Sequence, residues 1–200
     1  MVDPFIAAFA AIASALFVTE LTDKDAILIL TLSTRVKARD VFLAGSSAFV
    51  ITTAVIVTLG TFLVTFVPIF WVRVAGGSAM IVYGLWQASG LVGQKAIEQE
   101  ESKLERARDG WKAFLAMVAA LVLLDLAGDA TEILTIVFVA QYSDALLVFT
   151  ACCVGLIAAT AFETALGNRL GRVLTPSRIR YASMVVFLLL GAYIILLAVF

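Results

Sequence analysis

Histidine is absent from this 200-residue chain, and its only two cysteines are the adjacent pair Cys152 and Cys153. The first absence removes the commonest ligand for zinc or copper and the usual proton carrier near neutral pH. The second leaves no Cys-x-x-Cys spacing, and neighbouring cysteines within an apolar run read as buried packing residues rather than a disulfide. Charge is scarce as well, at 14% of residues against 62% hydrophobic, with a formal net charge of -1. A soluble protein of this size needs much more polar surface. The basic residues form short clusters and no extended positive face, which sets nucleic-acid binding aside. There is neither a nucleotide loop nor a nucleophile–base constellation, so an ATP-driven pump or an enzyme is not expected.

What the chain does have is apolar sequence in blocks of bilayer length, each near the roughly 20 residues that a spanning helix needs. The expectation is an all-α integral membrane protein with six spans, at about 5–34, 41–66, 70–92, 112–139, 145–167 and 179–199. The N-terminal run MVDPFIAAFAAIASALFV lacks a basic n-region and leads directly into ELTDKD, so it reads as a first membrane helix rather than a signal peptide. No lipidation or organellar targeting motif is evident. The polar stretch GQKAIEQEESKLERARDGWK separates two groups of three spans. The expected division is residues 1–93, a charged linker at 94–111, and residues 112–200.

Basic residues support this count. Arg35, Lys37 and Arg39, then Lys95, Lys103, Arg106, Arg108 and Lys112, then Arg169, Arg172, Arg178 and Arg180 all fall on one side of a six-span chain. Only Arg73 lies on the other side, and Lys24 lies within the first span. The positive-inside rule places the loops near 35–40, 94–111 and 168–180 in the cytoplasm and both termini outside. Halves of three spans each must insert in opposite orientations, so two inverted three-helix repeats are expected, with a shared site near the midplane.

Acidic residues supply that site. Glu20, Asp23 and Asp25 interrupt the first span, and Asp125, Asp129 and Glu132 interrupt the fourth. A carboxylate at such depth costs roughly 2.5–3.5 kcal/mol even on lenient insertion scales. On continuous helices Glu20 and Asp23 share one face, and Asp125, Asp129 and Glu132 form a second stripe. Asp25 lies about 200° around from Asp23, so it faces elsewhere unless the helix breaks, for which Thr22 and Gly128 are the natural places. Lys24 alone cannot neutralise six acids, and their mutual repulsion favours protonation whenever no cation is bound. Carboxylates with the hydroxyls of Thr19, Thr22 and Thr131 suit hard divalent cations, Ca²⁺ or Mn²⁺. Glu163, toward the cytoplasmic end of the fifth span, is a vestibule residue, a pathway residue that accepts protons, or a partner for a nearby arginine such as Arg169.

ELTDKDAILILTLSTR followed by VFLAGSSAF resembles the opening of a family of small six-span exchangers, the Ca²⁺/Mn²⁺:H⁺ antiporters related to the Golgi manganese transporter. The hallmark of that family is two copies of Glu-x-Gly-Asp-Lys/Arg-Ser/Thr, one per inverted half. The resemblance runs over essentially the whole chain. In the first copy Glu20, Asp23 and Lys24 match, while Thr22 replaces the glycine and Asp25 the hydroxyl residue. In the second copy Gly128, Asp129 and Thr131 match, Ala130 replaces the base, and Leu126 stands where Glu is expected. Asp125, Glu132 or Asp25 then substitutes for the missing Glu.

The resemblance implies exchange of Mn²⁺ or Ca²⁺ for protons by alternating access, with no cofactor beyond the transported ion. Glu20, Asp23, Asp125, Asp129 and Glu132 are the expected ligands, with Thr19, Thr22, Lys24, Asp25, Gly128, Thr131 and Glu163 supporting them or coupling protons. A passive channel, a cadmium-type permease and a non-transporting scaffold are the alternatives. The expected setting is a prokaryotic plasma membrane, with divalent ions, protons and lipid as partners and room for a homodimer.

Overall fold

The computed structural model describes residues 3–89, 111–126, 128–173 and 176–200; of residues 24, 166 and 168–180 no side chain is described. The charged linker expected at 94–111, apart from Trp111, lies outside the described residues, as do the side chains of Lys24 and Arg169. Every described element is an α-helix: α1 Pro4–Leu21, α2 Lys24–Arg35, α3 Ala38–Val64, α4 Ile69–Ala88, α5 Trp111–Asp125, α6 Ala130–Tyr142, α7 Ala145–Val173 and α8 Pro176–Val199. Helices α1, α3 and α4, with Ala145–Ala165 of α7 and Tyr181–Val199 of α8, are long and apolar enough to cross a bilayer. Helices α5 and α6, bent by 67° at their break, make a sixth crossing if the pair is taken as one span. The first and fourth expected spans are thus each two helices in succession, broken at the acidic residues.

Local chemistry sets the helix ends. Asp3 Oδ1 accepts from Phe5 N at 2.8 Å ahead of Pro4, a proline in the first turn where no N–H is needed. Ser143, at φ 51°, closes α6, and Asp144 Oδ1 accepts from Leu146 N and Leu147 N to open α7. Outside, the bundle shows bare hydrocarbon, with Leu59, Phe62, Val82, Leu123 and Leu189 each more than half exposed. Inside, it buries Glu20, Asp23, Asp25, Asp125, Asp129 and Glu163. Oil outside and charge within is the arrangement that a lipid solvent selects.

Two crossing helices, α3 and α7, pack on each other at the centre. Around α7 wrap α1 and α2, and around α3 wrap α5 and α6, so each central helix is held by the broken span of the other half. Exchanging α1–α4 for α5–α8 maps these contacts onto one another, which is consistent with inverted repeats. The remaining pair, α4 and α8, meets at a reciprocal glycine contact. A Cβ on Gly77 would lie 2.7 Å from Gly191 O, and a Cβ on Gly191 would lie 2.6 Å from Gly77 O. Next to them Ile195 abuts Gly77 and Ile81 abuts Gly191, four residues on in each case. Toward one end Arg73 Nη1 donates to Leu197 O at 2.7 Å, and toward the other Gly84 meets Phe187 and Met184. Early residues of α4 therefore face late residues of α8. The pair is antiparallel, as third spans of oppositely inserted halves must be. One departure from the exchange is that α4 also packs on α6, through Gly76 against Val137, while among the described residues α2 and α8 barely touch.

Candidate metal centre

The first break is built by threonine. Thr19 Oγ1 donates to Ala15 O at 2.7 Å, and Thr22 Oγ1 donates to Thr19 O at 2.9 Å. Backbone bonds Thr22 N→Thr19 O and Asp23 N→Glu20 O tighten the last turn of α1 to three-residue spacing. The freed carbonyl of Thr22 accepts from the Ser183 hydroxyl of α8, so it is tied to a neighbouring helix. The chain then restarts as α2 at Lys24, with Asp25 in its first turn. This restart resets the helical register, and it brings Asp25 toward the site rather than 200° away from Asp23.

The second break depends on Gly128, whose φ of +97° an L side chain rarely adopts. It lets Asp129 turn extended and cap α6, with Oδ1 accepting from Ala130 N at 2.6 Å. The favourable N-terminal end of the α6 dipole falls on that carboxylate. The continuous stripe of Asp125, Asp129 and Glu132 expected on one helix therefore does not form. Asp125 ends α5, Asp129 precedes α6, and Glu132 lies in the first turn of α6, half-buried.

The two breaks converge. Carboxylate oxygens of Asp25, Asp125 and Asp129, all buried, lie within 4.8 Å of one another. Two oxygens on opposite sides of one Ca²⁺ are separated by roughly 5 Å, twice a Ca–O distance of about 2.3–2.6 Å, so one hard cation can touch all three. Tyr83 of α4 joins the breaks from the side. Its hydroxyl donates to Asp23 Oδ1 at 2.7 Å and lies 3.5 Å from Asp129 Oδ1. Glu20 and Glu163 are fully buried, and no oxygen of either carboxylate has a hydrogen-bond partner among the described residues. Glu163, Asp25, Asp125 and Asp23 all lie within electrostatic reach of Glu20. Burial at this depth places Glu163 inside the acidic interior rather than at a surface vestibule.

Beside Asp125 is a cavity of about 10 Å³, room for roughly one water-sized particle. Thr52 and Thr53 of α3 line it together with Thr131, Glu132 and Thr135 of α6. Thr135 Oγ1 donates back to Thr131 O at 2.7 Å and lies 3.7 Å from Cys152 Sγ, whose thiol can donate to it. Of the residues singled out from sequence, Asp125 and Asp129 meet Asp25 directly, and Asp23 meets Asp129 through Tyr83. Glu132 and Thr131 line the adjoining cavity, and Thr19 and Thr22 shape the first break. Sequence reasoning missed Tyr83, Thr52, Thr53 and Ser183, whose signal is only that polar atoms recur within apolar spans.

The chain matches the model of a family described as divalent cation/proton antiporter GDT1, over residues 8–93 and 113–199. No curated protein and no solved structure matches it.

Proposed function

This chain belongs to the GDT1 family of divalent cation/proton antiporters, and from that premise we propose that Asp25, Asp125 and Asp129 together hold a transported Mn²⁺ or Ca²⁺. One observation carries the assignment: three buried carboxylates, one from the first half and two from the second, come within 4.8 Å of each other. All the donors are hard oxygens, the set that suits Ca²⁺ and Mn²⁺. Hydroxyls of Thr52, Thr53, Thr131 and Thr135, with Glu132, give the ion a next resting place in the adjoining cavity. Glu20 and Glu163 stand beside the three aspartates and carry the exchanged protons, a task that falls to carboxylates in a chain without histidine.

Residues 1–93 and 112–200 act as the two repeats, joined by a linker at 94–111, and alternating access moves one against the other. The bias of basic residues supports cytoplasmic loops near 35–40, 94–111 and 168–180 in a plasma membrane, with both termini outside. Export from the cytoplasm is the direction that an inward proton gradient drives.

Flux into proteoliposomes tests the reading. Mn²⁺ and Ca²⁺ are offered separately under an imposed pH gradient, and internal pH is recorded alongside cation uptake. Cation and proton should move in opposite directions in wild type, and Asp129→Asn should abolish both fluxes. Cation entry without opposing proton movement would mean a channel or uniporter. Unchanged flux in Asp129→Asn would sink the site.

A further inference from the structure

Tyr83 stands out because one phenol reaches the motif aspartates of both halves. Asp23 belongs to the break between α1 and α2, Asp129 to the break between α5 and α6, and Tyr83 comes from a third element, α4. The hydroxyl is held firmly. The Phe187 ring of α8 packs on the tyrosine at 5.3 Å, Trp86 lies edge-on at 6.2 Å, and Tyr83 itself is 7% exposed. A phenol has one proton, and the 2.7 Å contact shows that it goes to Asp23. Asp129 Oδ1 already accepts from Ala130 N at 2.6 Å, and the phenol oxygen closes the row at 3.5 Å.

We propose that Tyr83 is a positioning residue for transport: by donating to Asp23 beside Asp129 it holds the first half's motif aspartate at the meeting point of the halves and competes with the cargo cation for it. This rests on the reading that these carboxylates form the transport site. A hydrogen-bond donor and a metal ion seek the same lone pairs, so a cation that recruits Asp23 Oδ1 does so at the expense of the phenol's hydrogen bond. This clasp on Asp23 therefore weakens cation binding and speeds cation release. It is also single. The reciprocal contact that pairs Gly77 with Gly191 carries Tyr83 onto Leu197, which has no hydroxyl to offer.

The test uses the full chain in proteoliposomes, with Mn²⁺ and Ca²⁺ as separate probes and Asp129→Asn as the site control. Tyr83→Phe keeps the ring and removes one hydroxyl. It should lower the half-saturating cation concentration about tenfold, the scale of a hydrogen bond to a charged group, and lower the maximal rate as release slows. In detergent, the rise in melting temperature produced by Mn²⁺ should be larger for Tyr83→Phe than for wild type. A variant-independent check follows tyrosine ultraviolet difference absorbance of wild type during Ca²⁺ titration. A saturable change is expected as the phenol leaves Asp23, and a flat titration overturns the proposal. An unchanged half-saturating concentration in Tyr83→Phe overturns the clasp alone, provided Asp129→Asn is inactive. A raised one overturns it too, because the phenol would then be a ligand. If Asp129→Asn behaves as wild type, the site and the clasp fall together.

Discussion

Gly128 does its work through backbone rather than contact. A Cβ there would meet nothing within 4 Å, so the demand for glycine comes from a φ of +97° alone. Gly128→Ala should cost about 1–2 kcal/mol of stability from backbone strain. Relief of that strain would shift Asp129, so the apparent affinity for Mn²⁺ should fall as well. Calorimetric titration beside thermal unfolding separates the two effects, and an alanine variant with unaltered affinity would detach Gly128 from the site. Glu163→Gln addresses the proton side. Divalent binding should survive within about threefold, because this residue is not among the three converging aspartates, while protons moved per cation should drop. Equal proton coupling in variant and wild type would remove Glu163 from the pathway. These residue roles differ in how visible they are in sequence. An acid in apolar sequence announces itself by local contrast, and all the motif acids do so. Asp25 was legible as an acid and as one of three candidates to replace the missing Glu, but its place beside Asp125 and Asp129 depends on the break that resets the register.

Breaks and crossings account for the element scale. Six apolar blocks and two acidic interruptions were legible, since block length and charge contrast are properties of contiguous sequence. The partners that line the site were not. Tyr83, Thr52 and Thr53 come from unbroken helices, and which helix faces which break depends on packing between distant segments. Small residues decide that packing. Gly77→Ala forces a Cβ to 2.7 Å from a backbone carbonyl that no rotamer change can relieve, so α4 and α8 must separate. Gly60→Ala is the contrast, with its nearest neighbours at 3.6 Å, an ordinary contact. Melting in detergent should fall sharply for Gly77→Ala and hardly at all for Gly60→Ala. Equal melting of the two would mean that the reciprocal glycine contact does not hold the helices together.

At the scale of the whole molecule, the proposed exchange links cation to protons because both need carboxylates of one buried acidic cluster. Carboxylates bind a metal ion only after losing their protons, so apparent affinity should weaken as pH falls and strengthen as it rises. The dependence of Mn²⁺ affinity on pH then counts the protons released per ion. An affinity independent of pH over a range in which the protein stays folded would contradict exchange. The reciprocal contact of Gly77 with Gly191 adds a mechanical consequence. In the alternating access proposed above, a tilt of one half on the other about the point where α4 and α8 touch would make that point a fulcrum. Tyr83 sits six residues along α4 from that point, a lever arm of about 9 Å at 1.5 Å per residue. A tilt of roughly 10° moves a group at that radius by about 1.5 Å, enough to take a hydrogen bond from full strength to nothing. Because Tyr83 and Asp23 both belong to the first half and Asp129 to the second, such a rocking would carry the phenol and Asp23 together toward or away from Asp129.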